Sequence, residues 1–236
     1  MSSLSTFPAS AGQDVFTSSS TASHQLGEKM AIGPREFRYC KAGGTALVPG
    51  KLQQAQAEDT ADQGLAVAAA AVGAKTVVTT STLTTTANQY AGGWVCVTIT
   101  PGQGYSYRIA SHPAASAAVL TITLEDPILV ALTTDSRIDL VANPYSAVVV
   151  NPTTATSSPV GVAVYPVAAS EFGWIQTKGP CPVLVDDQTV VVGTNVAASN
   201  QAAGAVEPAT GVQALVGRAL TGGATTDYVM IDLNLS

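Results

Sequence analysis

Charged side chains are scarce in this 236-residue chain: ten Lys and Arg plus sixteen Asp and Glu make 11% of the sequence, against roughly a quarter in ordinary soluble domains. The net charge of −6 and the pI near 4.7 exclude a nucleic-acid binder, because neutralising phosphates takes a cationic stripe that ten scattered bases do not form. Histidine is nearly absent. His24 lies in a polar stretch and His112 precedes Pro113, and neither has a Cys, Asp or Glu at metal-ligand spacing, so both read as structural or solvated. The three cysteines, Cys40, Cys96 and Cys181, are odd in number and far apart. That excludes a disulfide framework or zinc knuckle and leaves buried, reduced thiols.

Catalytic signatures are missing as well. The sequence has no Gly-x-Ser-x-Gly elbow, no His-Glu-x-x-His helix and no Gly-x-x-x-x-Gly-Lys-Ser/Thr loop, which removes the common hydrolase, zinc-protease and nucleotide-binding readings. Gly102-Gln103-Gly104 lacks the third glycine of a dinucleotide loop and precedes a strand pattern, so it reads as a turn. Two carboxylate pairs, Glu125 with Asp126 and Asp186 with Asp187, are the candidates for a glycosidase. Neighbours on a strand point to opposite faces, and both pairs read as solvated turns. The expectation is therefore a non-enzyme with no cofactor and no catalytic, cofactor-binding or metal site. The N-terminus lacks the basic and apolar regions of a signal peptide. The longest apolar run, Leu65 to Val72, is far too short to cross a membrane.

What is abundant is Ala, Val and Thr, within a hydrophobic fraction of 46% of which little is aromatic. Small β-branched side chains favour pleated sheets, and the chain is long enough to bury roughly 70–75% of its unfolded surface without staples. A mainly β fold follows: an extended N-terminal arm, then β-sandwich or barrel modules, the C-terminal one a small Gly-punctuated barrel. Residues 1–30 are Ser/Thr/Ala/Gly-rich with isolated Leu4, Phe7, Val15 and Phe16 and show no helical or strand period. They read as the arm, disordered alone and anchored on a partner, so deleting them should weaken attachment and leave folding nearly unchanged. A β-rich domain over 31–152 and a small barrel over 153–236 follow, with the boundary in the linker-like tract Thr153 to Pro159.

Strand patterns fall at Phe37 to Ala42, Leu65 to Val72, Lys75 to Leu83, Gly93 to Thr100, Tyr105 to Ile109, Val119 to Leu124, Ile128 to Leu132, Arg137 to Val141 and Ala147 to Val150. Lys51 to Asp59 has the propensity for a short helix with one apolar anchor, Leu52. Beyond the linker come Val160 to Val164, Phe172 to Thr177, Pro182 to Val185, Thr189 to Val192, Val212 to Ala219 and Tyr228 to Leu235. Two strand starts carry the same pair, Gly93-Trp94 and Gly173-Trp174; each Trp fits core or interface packing, or a stacking surface for a sugar. A surface so poor in charge is weakly defended against edge-to-edge strand pairing. Coverage by neighbouring subunits is the expectation, and a Thr/Ser-clad neutral monomer the alternative.

Leu47 to Gly50, Ala87 to Trp94, Gly102 to Ile109, Leu124 to Pro127 and Asn143 to Tyr145 together resemble the virion structural proteins of tailed bacteriophages. Phe172 to Gly179, Val191 to Gly193, Gly204 to Glu207 and Val216 to Arg218 are similar to the Gly-punctuated barrels of capsid decoration, or cement, proteins. The resemblance spans residues 30–236 and rests on turn and strand signatures. It implies a protein assembled in the host cytoplasm that binds the finished shell, its partners being the major capsid protein and itself as a homotrimer, with no nucleic acid or membrane. The second expectation is a head-fibre or tail-associated protein that binds a receptor or glycan through exposed Trp and Tyr.

Overall fold

A computed structural model describes residues 13–186, 188–211, 213–224 and 226–235. The described residues form eighteen β-strands and one 3-10 turn, Thr60–Asp62, with no α-helix. None of them therefore forms a helix long and apolar enough to cross a membrane. Two compact units divide the chain at points other than 30 and 152: residues 1–57 with 144–236, and residues 58–143. The second unit is an insertion in the first.

In the first unit the strands are β1 (Lys29–Ile32), β2 (Arg35–Lys41), β3 (Leu52–Gln54) and then, after the insertion, β12 (Val149–Val150), β13 (Pro159–Ala163), β14 (Phe172–Leu184), β15 (Asn195–Ala198), β16 (Val206–Pro208), β17 (Leu215–Ala219) and β18 (Tyr228–Asn234). They make one curled sheet in the order β12-β3-β13-β14-β18-β17-β15-β16, with the β1–β2 hairpin joined to β14. Because β3 lies between β12 and β13, hydrogen bonds cross the tract at 153–159 that reads as a linker. Where a short helix is expected at Lys51 to Asp59, strand β3 takes Leu52–Gln54 and the rest is irregular. The three strand residues are all buried, and this tertiary context overrides a weak helical propensity.

The organising strand is β14. Its thirteen residues are buried on both faces up to Thr177 and alternate outward and inward from Lys178 on. Sequence patterns split it in two at Gly179, Pro180 and Pro182. The strand runs through because β2 pairs it no further than Lys178, after which its ladder is with β18. A strand laddered along one flank tolerates residues without an N–H. At the changeover the buried Gln176 amide nitrogen sits 3.0, 3.1 and 3.0 Å from the carbonyls of Lys178, Gly179 and Pro180 and holds the bulge. Inside the curl, Val183, Val196, Val216, Val229, Ile231 and Leu233 pack into the core with Leu52 and Cys181.

In the second unit, β4 (Leu65–Ala66), β11 (Arg137–Val141), β7 (Trp94–Ile99), β8 (Ser106–Ser111), β10 (Thr121–Leu124) and β5 (Thr76–Val78) form a six-stranded sheet in that order. A separate pair joins β6 (Leu83–Thr85) to β9 (Ala115–Ala118). Alternation in β7, β8, β10 and β11 sends Val95, Val97, Tyr107, Ile109, Ile122, Leu124, Ile138 and Leu140 into one core. The apolar run at Ile128 to Leu132 is not a strand. Its ends are buried and bond the turn opposite, Gly73 N–H to Ile128 O at 2.8 Å and Leu132 N–H to Ala70 O at 2.9 Å.

Candidate functional site

The two Gly-Trp pairs solve the same local problem and end in opposite environments. At both glycines a neighbour comes too close for a side chain: a Cβ on Gly93 would sit 2.2 Å from Val141 O, and one on Gly173 would sit 2.5 Å from Val167 Cγ2. The tryptophan that follows then goes wherever the alternation sends it. Trp94 faces outward and is 43% exposed, whereas Trp174 is 1% exposed. The expectation that either Trp serves a sugar is corrected for Trp174, which is core.

Around Trp94 the register places Arg108 on one flanking strand and Val141 on the other. Arg108 Nε lies 3.2 Å from Glu125 Oε1, and the Glu125 N–H donates to Arg108 O at 2.9 Å. One row further along, half-buried Cys96 is flanked by Asp139, whose Oδ1 accepts the Gly64 N–H at 2.7 Å. The outward face of the second unit thus carries an indole, a guanidinium–carboxylate pair and a backbone-tethered carboxylate. Such a face can stack on a planar or ring-shaped group and exchange charge-assisted hydrogen bonds with it.

Trp174 belongs to an aromatic cluster in the first unit. Its ring is edge-on to Tyr39 and His24, with centroids 5.0 Å away in each case, while Tyr39 stacks on Phe172 at 6.1 Å. Gln13 ties the cluster together. Its backbone carbonyl accepts Trp174 Nε1–H at 2.9 Å, its Oε1 accepts the Tyr39 hydroxyl at 2.7 Å, and its Nε2 donates to the carbonyls of Thr17 and Phe172, each at 2.8 Å. Burial pushes the Tyr39 hydroxyl above its usual pKa. With Val15 1% exposed, Ser19 bridged to Phe172 and the His24 ring against Trp174, the stretch 13–30 is anchored on the first unit, although most of its residues are exposed. These contacts predict a cost to folding when the arm is deleted, where the sequence pattern predicts none. Leu4, Phe7 and the remainder of 1–12 lie outside the described residues.

The carboxylate candidates separate. Glu125 and Asp126 are exposed as expected. Asp186 is not a solvated turn residue: it is 2% exposed, and its carboxylate accepts Ser199 Oγ–H at 2.7 Å and the Gln188 N–H at 2.8 Å. Asp187 lies outside the described residues. The acid that shares Gln188 with Asp186 is Glu207, 1% exposed, which also receives the Gln213 amide. Nothing in the local pattern Val206-Glu207-Pro208 signals its burial. Asp62, buried at the end of the 3-10 turn, accepts the Tyr90 hydroxyl; burial first, then that carboxylate, push Tyr90 well above its usual pKa. His112 Nε2 accepts the Tyr90 N–H at 3.0 Å. These contacts fasten loop and turn residues to one another and, at Glu207, to strand β16. Among the described residues no three His, Cys, Asp or Glu gather closely enough to hold a metal. All three cysteines are free; burial pushes Cys40 and Cys181 up to about 12, and Cys96 is only half-buried, against the expectation of three buried thiols.

A second open face lies on the first unit. Outward from β14, β15, β17 and β18, a groove of about 530 Å³ runs past Lys178, Pro180, Asn195, Arg218, Asp232 and Asn234. Beyond its end the same face turns apolar at Pro182, Met230, Leu220 and Tyr228. Comparison of the chain with protein-family models, with curated proteins and with solved structures gave no match.

Proposed function

We propose that this chain is a structural protein of a tailed-bacteriophage virion, assembled in the host cytoplasm, that binds the finished capsid and reinforces it as a decoration protein. The observation that carries this reading is the combination of few charges with many uncovered apolar side chains. Among the described residues sixteen large hydrophobic side chains are exposed, in a sequence with ten basic and sixteen acidic residues. They are spread over both units, from Val72, Val119 and Leu129 to Val191, Val192 and Leu215. On a repeating lattice, many weak contacts of this kind add up to stable attachment. The resemblance of the Gly-punctuated strand pattern to cement proteins supplies the shell as the partner. Mass spectrometry of separated heads and tails, with immunogold microscopy, tests the reading: the chain is expected on heads, and its presence in tails or baseplates but not heads overturns it.

A second reading is favoured by Trp94. The indole beside the Arg108–Glu125 pair suits a glycan-binding head-fibre or tail-associated protein. A glycan array separates the two readings: binding that Trp94→Ala abolishes establishes this one, and silence across the array removes it.

A further inference from the structure

We infer that the outward face of β14, β18 and β17 pairs with the same face of a second copy of this chain, about a twofold axis lying parallel to the strands between β18 and β17. This inference goes beyond capsid binding and does not rest on it. Its basis is the cross-strand register. Pro180 is opposite Asp232, Asp232 opposite Arg218, and Arg218 opposite Asn195. Directly opposed residues share a face, and all four are exposed. They form one transverse row across four strands, with the acid on one side of its midline and the base on the other. About 6.8 Å along the strands lies a second exposed row, Pro182, Met230 and Leu220, in which Leu220 N–H donates to Met230 O at 2.8 Å.

The order of these rows selects the symmetry. A twofold axis normal to the face leaves both faces pointing the same way and out of contact, and an axis across the strands midway between the rows lays the apolar row of one copy over the charged row of the other and buries charge against hydrocarbon. An axis along the strands keeps each row opposite itself and reverses it left to right. Asp232 then faces the second copy's Arg218, Arg218 faces its Asp232, and Met230 and Leu220 cover each other. Self-complementarity of this kind is what an isologous contact requires. The face spans four strands and four residue rows, roughly 15 by 20 Å, which puts the pair in the weak, transient class. The threefold grouping implied by the resemblance does not place Asp232 and Arg218 in reciprocal contact.

Sedimentation velocity on the purified full chain tests the inference, without shells. The wild type should be a reversible dimer in the range up to about 100 µM expected of a small interface. Asp232→Arg and Arg218→Asp should each be monomeric, because each turns both reciprocal contacts into like-charge pairs. Mixing the two variants should restore the dimer, since one copy then presents two bases at these positions and the other two acids, and both reciprocal contacts regain opposite charges. A wild type that stays monomeric or forms a trimer, or a mixture of folded variants that does not dimerise, overturns the inference. Matching thermal midpoints for the variants and the wild type show that the variants have folded, and an Asp232→Asn and Arg218→Gln pair replaces any that has not.

Discussion

Replacing Gln13 by alanine in the first unit removes a 7%-exposed side chain that makes three hydrogen bonds. The Phe172 carbonyl keeps a second donor, the Ser19 N–H at 3.0 Å, so it loses little. The Tyr39 hydroxyl still accepts the Ser23 N–H at 3.1 Å but has no acceptor for its own proton, and a buried donor left unmade costs about 1–3 kcal/mol. With the lost amide bonds the total is about 3 kcal/mol. At the roughly 2–4 °C per kcal/mol expected of a chain this size, the midpoint falls by about 6–12 °C. Removing residues 1–19 should do more, since Val15 burial, worth about 2 kcal/mol, and the Trp174 indole acceptor go with it. Trp94 and Trp174 are the chain's two tryptophans, so Trp94→Phe leaves fluorescence that reports the first unit alone. In that background Gln13→Ala should lower the midpoint followed at Trp174. A midpoint within about 1 °C of the parent would refute the reasoning and return residues 13–30 to the status of an appendage.

Gly93→Ala should destabilise the second unit by about 3 kcal/mol, because the atom a Cβ meets is Val141 backbone oxygen and cannot swing away; urea unfolding followed by near-ultraviolet circular dichroism checks it. Stability should also fall at alkaline pH. An unfolded thiol ionises near 9.0, while folded Cys40 and Cys181 hold their protons to about 12, so their contribution is complete below pH 9.0 and is lost between there and about 12. The slope is about 1.4 kcal/mol per pH unit per thiol, and Cys40→Ser with Cys181→Ala should flatten it in urea titrations at successive pH values. Native thiol labelling at pH 8 should modify Cys96 faster than either of the other two. Asp186→Asn should cost about 2 kcal/mol by weakening the Ser199 and Gln188 bonds, read as a lower thermal midpoint.

Legibility in the sequence followed burial on one face. β10, β11 and β18 alternate cleanly in burial, and each coincides with an expected strand. β9, β15 and β16 are Ala-, Ser-, Asn- and Pro-bearing segments whose pairing is set by their neighbours, so no period announces them. The inserted unit was not readable because a chain scanned in order shows a composition change at 153–159 but not that Gln53 pairs with both Val150 and Gly161. The fates of Trp94 and Trp174 were equally hidden. Both follow a glycine that a neighbour crowds, and only a partner far along the chain, Gln13 for Trp174, separates core from surface. Asp186 looked like a turn residue because an Asp-Asp-Gln sequence usually is one; Ser199, thirteen residues on, is what buries it.

The proposed role of the exposed apolar side chains is to meet a shell. Its most direct measurement is to add the purified chain to assembled heads that lack it, separate bound from free by sedimentation, and record the temperature at which the heads rupture. Saturation at a fixed number of copies per head, with a higher rupture temperature, is the predicted result. Heads that bind nothing saturably, or that rupture at the same temperature when fully occupied, would contradict it.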